Sequence, residues 1–260
     1  MTFEFDARST ALAGRGDAAR IVPLDLPEEL VSPPTANPAL TYRSGPLLSN
    51  VEVFTIFWGS TWQKPPQSTM VDQLNGFFDR ILAGPLLEQL AEYSVPGKTI
   101  GPGQRTGSAS VASAAVQTTV TDGAIQHMLQ QQIALSSALP PPGPNVLYFV
   151  YLAPGTAVSS HGSRSCTSFC GYHNDITGQI FYAVMPYAGC GGCLGGLQAF
   201  DALTATSSHE LCEAITDPVP GLGWYDDHNG EIGDICAWKT KKVDGYTVQM
   251  EWSNQQGACV

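Results

Sequence analysis

The stretch from Gln198 to Pro218 constrains this chain more than any other. Leu197, Phe200, Leu203, Leu211 and Ile215 recur at helical spacing and form an apolar stripe suited to packing on a core. The pattern predicts a helix beginning near Gln198 or Asp201. Pro218 ends it, because the residue before a proline is pushed out of the helical region. On that helix His209 and Glu213 stand one turn apart on the same face, with Glu210 beside them. Read bare, Ser207 and Glu210 have capping-box spacing, and His209 with Glu213 is an ordinary i,i+4 pair. A helix starting near 198–201 makes Glu210 interior, where it has no cap to form.

His209-Glu210-x-x-Glu213 has the spacing of the helical zinc motif His-Glu-x-x-His, with a carboxylate in place of the second imidazole. A carboxylate is an acceptable zinc ligand at about 2.0–2.2 Å, so the replacement keeps the chemistry open. A hydrolytic zinc site needs three protein ligands, an open position for water and a base. His209 and Glu213 supply two ligands, and Glu210 is placed as the base. The third ligand is expected from the acidic stretch Asp226 to Asp234, with Glu231 preferred over Asp234, and Asp234 over His228. Asp234 has a second role open to it, as the acceptor that orients His209. The same stretch is rich in oxygen-bearing residues (Asp226, Asp227, Asn229), so calcium is an alternative occupant and simple turn formation another. His173, in Cys170-Gly-Tyr-His173-Asn-Asp, reads as a polar loop residue and a candidate ligand or oxyanion donor.

The remaining chain frames this motif. Its 260 residues are 43% hydrophobic and only 13% charged, with 27 glycines and 19 prolines. That is a loop-rich globular protein, long enough for one substantial domain or two small ones. A net charge of −11 argues against a nucleic-acid partner, and no apolar run reaches the length of a membrane span. The opening Met1-Thr-Phe-Glu-Phe-Asp6 does not read as a signal peptide. Residues 1–45, with Pro33-Pro34 and no sustained period, read as an extended arm or pro-segment, and residues 46–260 as one domain. Strands are expected at Val51–Trp58, Val146–Leu152, Ile180–Pro186 (near an edge because of the proline) and Tyr246–Trp252. Gln67–Tyr93 should form a helix in two pieces, and Asp122 should cap a helix running to Ala138. These elements predict an α/β (α+β) fold: a zincin-like mixed sheet with packed helices, the motif-bearing helix lying beneath the sheet.

Seven cysteines point to an oxidising compartment. Cys166-x3-Cys170 and Cys190-x2-Cys193 suit either short-range disulfides or a four-thiolate structural zinc. Disulfides are preferred, with Cys236–Cys259 a third pair and Cys212 the odd, buried thiol.

Together, Cys166 to His173, Tyr182-Ala-Val-Met-Pro-Tyr187, Cys190-Gly-Gly-Cys193, Ser208 to Pro218 and Trp224 to Cys236 resemble the phosphate-induced protein 1 (EXORDIUM-like) family in a microbial form. The resemblance covers roughly residues 46–260. It implies an exported protein associated with the extracellular space, and it does not by itself imply peptidase activity. The motif kept here leads to the expectation of a secreted zinc metalloendopeptidase acting on a protein or peptide substrate, with His209, Glu213 and Glu231 or Asp234 on the metal and Glu210 and His173 as catalytic residues. The alternatives are a non-catalytic extracellular binding or signalling protein with a structural metal, and a carbohydrate hydrolase pairing Glu210 with Asp234.

Overall fold

The structure is a computed structural model, and it describes residues 20–23, 37–112, 118–135, 139–160 and 162–260. The reading of 1–45 as an arm therefore falls largely outside the described residues, as does the end of the helix expected to reach Ala138.

The chain forms a mixed α+β fold around a six-stranded sheet. Its strands are β1 (Arg20–Pro23), β3 (Glu52–Trp58), β4 (Gln104–Val111), β6 (Val146–Leu152), β9 (Phe169–Ile176) and β10 (Ile180–Met185), in the order β1-β9-β10-β6-β3-β4. The short strands β2 (Thr41–Tyr42), β5 (Thr119–Thr121), β7 (Ala157–Ser160), β8 (Ser163–Arg164) and β11 (Trp224–Tyr225) pair outside it. β10, β6, β3 and β4 run parallel, whereas β9 is antiparallel to β10 and β1 antiparallel to β9. All seven residues of β6 are buried, as a strand covered on both faces requires. Its side chains alternate between two cores. Leu147, Phe149 and Tyr151 join Phe57, Phe77, Phe78 and Leu211 on one face. Tyr148, Val150 and Leu152 join Ile56, Ile125, Leu129 and Tyr182 on the other. Each such side chain contributes roughly 1.5–3 kcal/mol by leaving water.

The helix α1 (Gln67–Ile81) presents Leu74, Phe77, Phe78 and Ile81 to the first core. After the Gly84-Pro85 break come the short helix α2 (Pro85–Glu88) and a 3-10 turn, Gln89–Tyr93. The helix α3 (Asp122–Leu135) covers the opposite face through Ile125, Met128 and Leu129. Its start corrects an expectation. Thr121 Oγ1, not Asp122, accepts the backbone N–H of Ala124 at 3.1 Å. Asp122 is buried and its carboxylate accepts the hydroxyls of Tyr172 and Tyr182 at 2.7 and 2.8 Å.

Two more expectations are corrected here. β10 is an interior strand rather than an edge strand, because Pro186 falls just beyond Met185 and removes no ladder hydrogen bond. The predicted last strand is split into β13 (Tyr246–Gln249), paired with β12 (Thr240–Val243), and β14 (Trp252–Ser253), paired with β15 (Ala258–Cys259).

Three disulfides brace the loops. Cys166–Cys190 and Cys170–Cys193 cross-link the start of β9 to the turn of helix α4 (Gly191–Leu194), rather than closing within each sequence pair. Cys236–Cys259 fastens the end of the acidic stretch to β15. Cys212 is free and buried.

Candidate metal centre

The motif helix is α5, Ala199–Thr216. Sequence periodicity marks only one apolar face, yet every residue from Ala202 to Thr216 is buried. β9 and β10 lie on one side of it and β13 on another. Several of its hydroxyl side chains fit because they find local partners. Tyr151 and Ser207 share a hydrogen bond of 2.7 Å, and Ser208 Oγ donates to Ala205 O while accepting from Gln249 N. The helix stops at Thr216, and the Asp217 carboxylate accepts the backbone N–H groups of Gly221, Leu222 and Gly223. That turn sends the chain back so that residues 231–234 arrive beside the motif face.

His209, Glu213 and Asp234 come together as a group that could hold a metal ion. One potential ligand atom from each lies within 4.8 Å of the others. His209 Nε2 is 3.0 Å from Glu213 Oε1 and 4.0 Å from Asp234 Oδ1. The Asp234 backbone N–H donates to Glu213 Oε1, which pins the loop to the helix. Glu231 N–H donates to Asp234 Oδ2, leaving Oδ1 toward His209. His209 is fully buried, and neither ring nitrogen has a hydrogen-bond partner among the described residues. Asp234 keeps a 23% exposed side chain, the only one of the three that is not fully buried. Gly233 lies flat against the His209 ring, where a Cβ would come within 2.8–2.9 Å of Nδ1, Cε1 and Cγ.

His173 is not a loop residue, which corrects the sequence reading. It lies in β9, fully buried, and points at the same cluster. Its Nδ1 is 3.1 Å from Glu210 Oε2 and 3.5 Å from Glu213 Oε2, and its Nε2 is 3.2 Å from the Asp217 carbonyl and 3.5 Å from Glu231 Oε1. His173, Glu210 and Glu213 thus make a second close triad. Gly171, two residues earlier, lets β9 approach α5. A Cβ there would meet Thr206 Cγ2 at 2.7 Å and Glu210 Oε1 at 3.3 Å. Glu231 is buried beside His173, whereas the His209 triad takes its loop carboxylate from Asp234.

The other candidates lie apart. His228 is exposed. Asp226 accepts backbone N–H groups of Ala39, His228 and Asn229, and Asp227 pairs with Arg43, so these acids serve a turn.

Packing so many ionisable groups together shifts them strongly. Burial opposes a charged imidazole at His173, but Glu231, Glu210 and Glu213 carry its pKa well above the usual value. His209 is raised in the same way against burial, chiefly by Glu213. Burial would raise Glu213, yet the two histidines hold it down to about 2. Glu210 is raised by burial, with His173 offsetting part of the effect. Burial and the nearby Glu213 charge push Asp234 up to about 7.

Glu251 escapes sequence reading. It is fully buried beside the Cys212 thiol, and burial pushes its pKa well up. It belongs to no motif, and only its fold position shows it.

No family model and no curated protein matches the chain. Among solved structures, one described as a chaperone–substrate complex matches at 14% identity and a TM-score of 0.31. The match covers 72% of this chain and 26% of that one, so the chain spans about a quarter of its length. A likeness this slight carries no argument.

Proposed function

We propose that the chain is a divalent-metal hydrolase, with zinc held by His209, Glu213 and Asp234, that cleaves peptide bonds in an oxidising, extracellular setting. The observation that carries this reading is the convergence of one imidazole and two carboxylate ligand atoms within 4.8 Å, on a helix face and a loop. Buried His209 Nε2 makes no hydrogen bond among the described residues although Glu213 Oε1 stands 3.0 Å and Asp234 Oδ1 4.0 Å away, and an ion among the three would satisfy it. When bound, the ion supplies Lewis acidity and a water of lowered pKa.

This chain's own residues would do the rest. Glu210 Oε2 is held by His173, while Oε1 has no hydrogen-bond partner among the described residues and is available to accept a proton. Its burial-raised pKa brings it nearer to neutral operation, which suits a general base that later returns the proton to the leaving amine. His173 acts as a positioning residue by fixing Glu210. Asp234 is the partly exposed member of the triad, and a substrate would approach from its side. Three disulfides fit an extracellular location, and the resemblance to the EXORDIUM-like family leans the same way.

A non-catalytic binding protein with a structural metal is the second reading. It is favoured by the near-complete burial of His173, Glu210 and Glu213. Zinc analysis beside Glu210→Gln separates the two. Retained zinc with lost hydrolysis of a denatured protein substrate supports the enzyme; a zinc-loaded native chain that cleaves nothing supports the binding protein.

A further inference from the structure

The geometry points to a second cation site that shares Glu213 with the first: His173, Glu210 and Glu213 would hold one divalent ion while His209, Glu213 and Asp234 hold another. This rests on the reading of the His209 triad as a metal site. We infer further that the second ion is inhibitory.

His173, Glu210 and Glu213 are all buried and bring one ligand atom each within 4.8 Å of the others. His173 Nε2 faces the Asp217 carbonyl, which can only accept, so Nε2 bears the hydrogen. Nδ1 faces Glu210 Oε2 at 3.1 Å and Glu213 Oε2 at 3.5 Å, so a single cation, either a proton on Nδ1 or a metal ion in its place, joins the three side chains. Two buried carboxylates this close repel unless a cation lies between them and the imidazole. A metal-ligating histidine that donates its other N–H to a backbone carbonyl is the usual outer-shell arrangement. Glu210 Oε1 and Glu213 Oε2, on two fully buried side chains, lack hydrogen-bond partners among the described residues. Glu213 gives Oε1 to the His209 side and Oε2 to the His173 side, the disposition of a bridging carboxylate. Ions bridged this way stand about 3.5–4 Å apart in two-metal sites. The competing cation is a proton on Nδ1.

The second site uses Glu210 as a ligand, and a carboxylate bound to an ion is no longer free to take a proton. Hydrolysis should therefore rise with the first equivalent of metal and fall with the second.

The test titrates the metal-stripped full chain with Zn2+ by calorimetry, with bound metal counted by elemental analysis. A parallel Mn2+ titration is followed by electron paramagnetic resonance. The expected result is two equivalents, exchange-coupled Mn2+ at full loading, and at least a tenfold drop in hydrolysis between one and two equivalents. His173→Gln should remove the second binding step and keep the first. Two equivalents without hydrolysis at any loading would keep the shared site and sink the hydrolase reading instead. Should His173→Gln fail to fold, the wild-type Mn2+ spectrum still decides. A single equivalent with an isolated-ion spectrum, or activity unchanged as a second equivalent binds, overturns the inference.

Discussion

His173 Nδ1 lies 3.1 Å from Glu210 Oε2, joining a β-strand to the motif helix across sequence positions 37 residues apart. This contact lowers the Glu210 pKa against the rise caused by burial. Replacing His173 by Gln should therefore raise the Glu210 pKa and move the acid limb of the kcat/KM profile to higher pH. A pH–rate profile of the single-ion form checks this. An unmoved acid limb would remove His173 from any role in positioning Glu210.

Glu210→Gln keeps the shape of the side chain and removes the base. Hydrolysis should fall by about 10²–10⁴-fold, the usual worth of a general base, with the His209 site still loaded. Loss of zinc together with activity would instead make Glu210 a ligand needed by the first ion.

The metal-stripped chain should lose stability as pH rises from about 4 toward 7. Asp234 titrates near 3.8 when unfolded and is pushed up to about 7 in the fold, so across that window the native state binds a proton that the unfolded state has released. The raised histidines act in the same direction: their contribution is full below the unfolded value near 6.5 and fades as pH climbs through their folded values. Glu213, held down to about 2, contributes fully above its unfolded value near 4.5 and loses that contribution as pH falls from there toward 2, so it opposes the trend only at the acid end of the window. Urea melts between pH 4 and 7.5 measure the slope, and saturating zinc should flatten it by replacing protons with metal charge. Stability that rises with pH in the stripped chain would contradict the assignment.

Gly233→Ala places a methyl group within 2.8–2.9 Å of the His209 ring. The ring or loop must move, at about 1–3 kcal/mol for such overpacking. Because the ring is the displaced object, zinc affinity should weaken by roughly 10–100-fold, the scale seen for disturbed supports of metal ligands. Calorimetry on the variant reads this directly. Unchanged affinity would show that His209 is not a ligand.

Removing Cys236–Cys259 by a double serine substitution should cost about 2–4 kcal/mol. The pair encloses the chain between the acidic stretch and β15, and Cys236 lies two residues after Asp234. Zinc affinity should fall alongside stability, whereas the Cys166–Cys190 pair, at the start of β9, should affect the His173 side more. Equal effects of both pairs on zinc binding would argue against this division.

Much of this centre is written locally. Helical spacing places His209, Glu210 and Glu213 on one face, and Pro218 fixes where the helix ends. The alternation and apolar runs of β3, β6 and β10 mark the sheet. What sequence alone does not show is set by long-range packing. His173 looks like a loop residue because Gly171, Asn174 and Asp175 interrupt the apolar pattern, yet Gly171 is there to let β9 press against Thr206 and Glu210. The place of Asp234, rather than Glu231, beside His209 depends on the turn that the Asp217 carboxylate organises. Spacing along the chain carries no record of that turn. Glu251 shows only as a charge in a short strand-rich tail, and its burial follows from how that tail folds onto α5.

The most direct test is an anomalous difference map at the zinc edge from crystals of the zinc-loaded chain. The account predicts a peak within about 2.0–2.2 Å of His209 Nε2 and of a carboxylate oxygen from each of Glu213 and Asp234. A peak bound elsewhere, or none at these side chains, would contradict it.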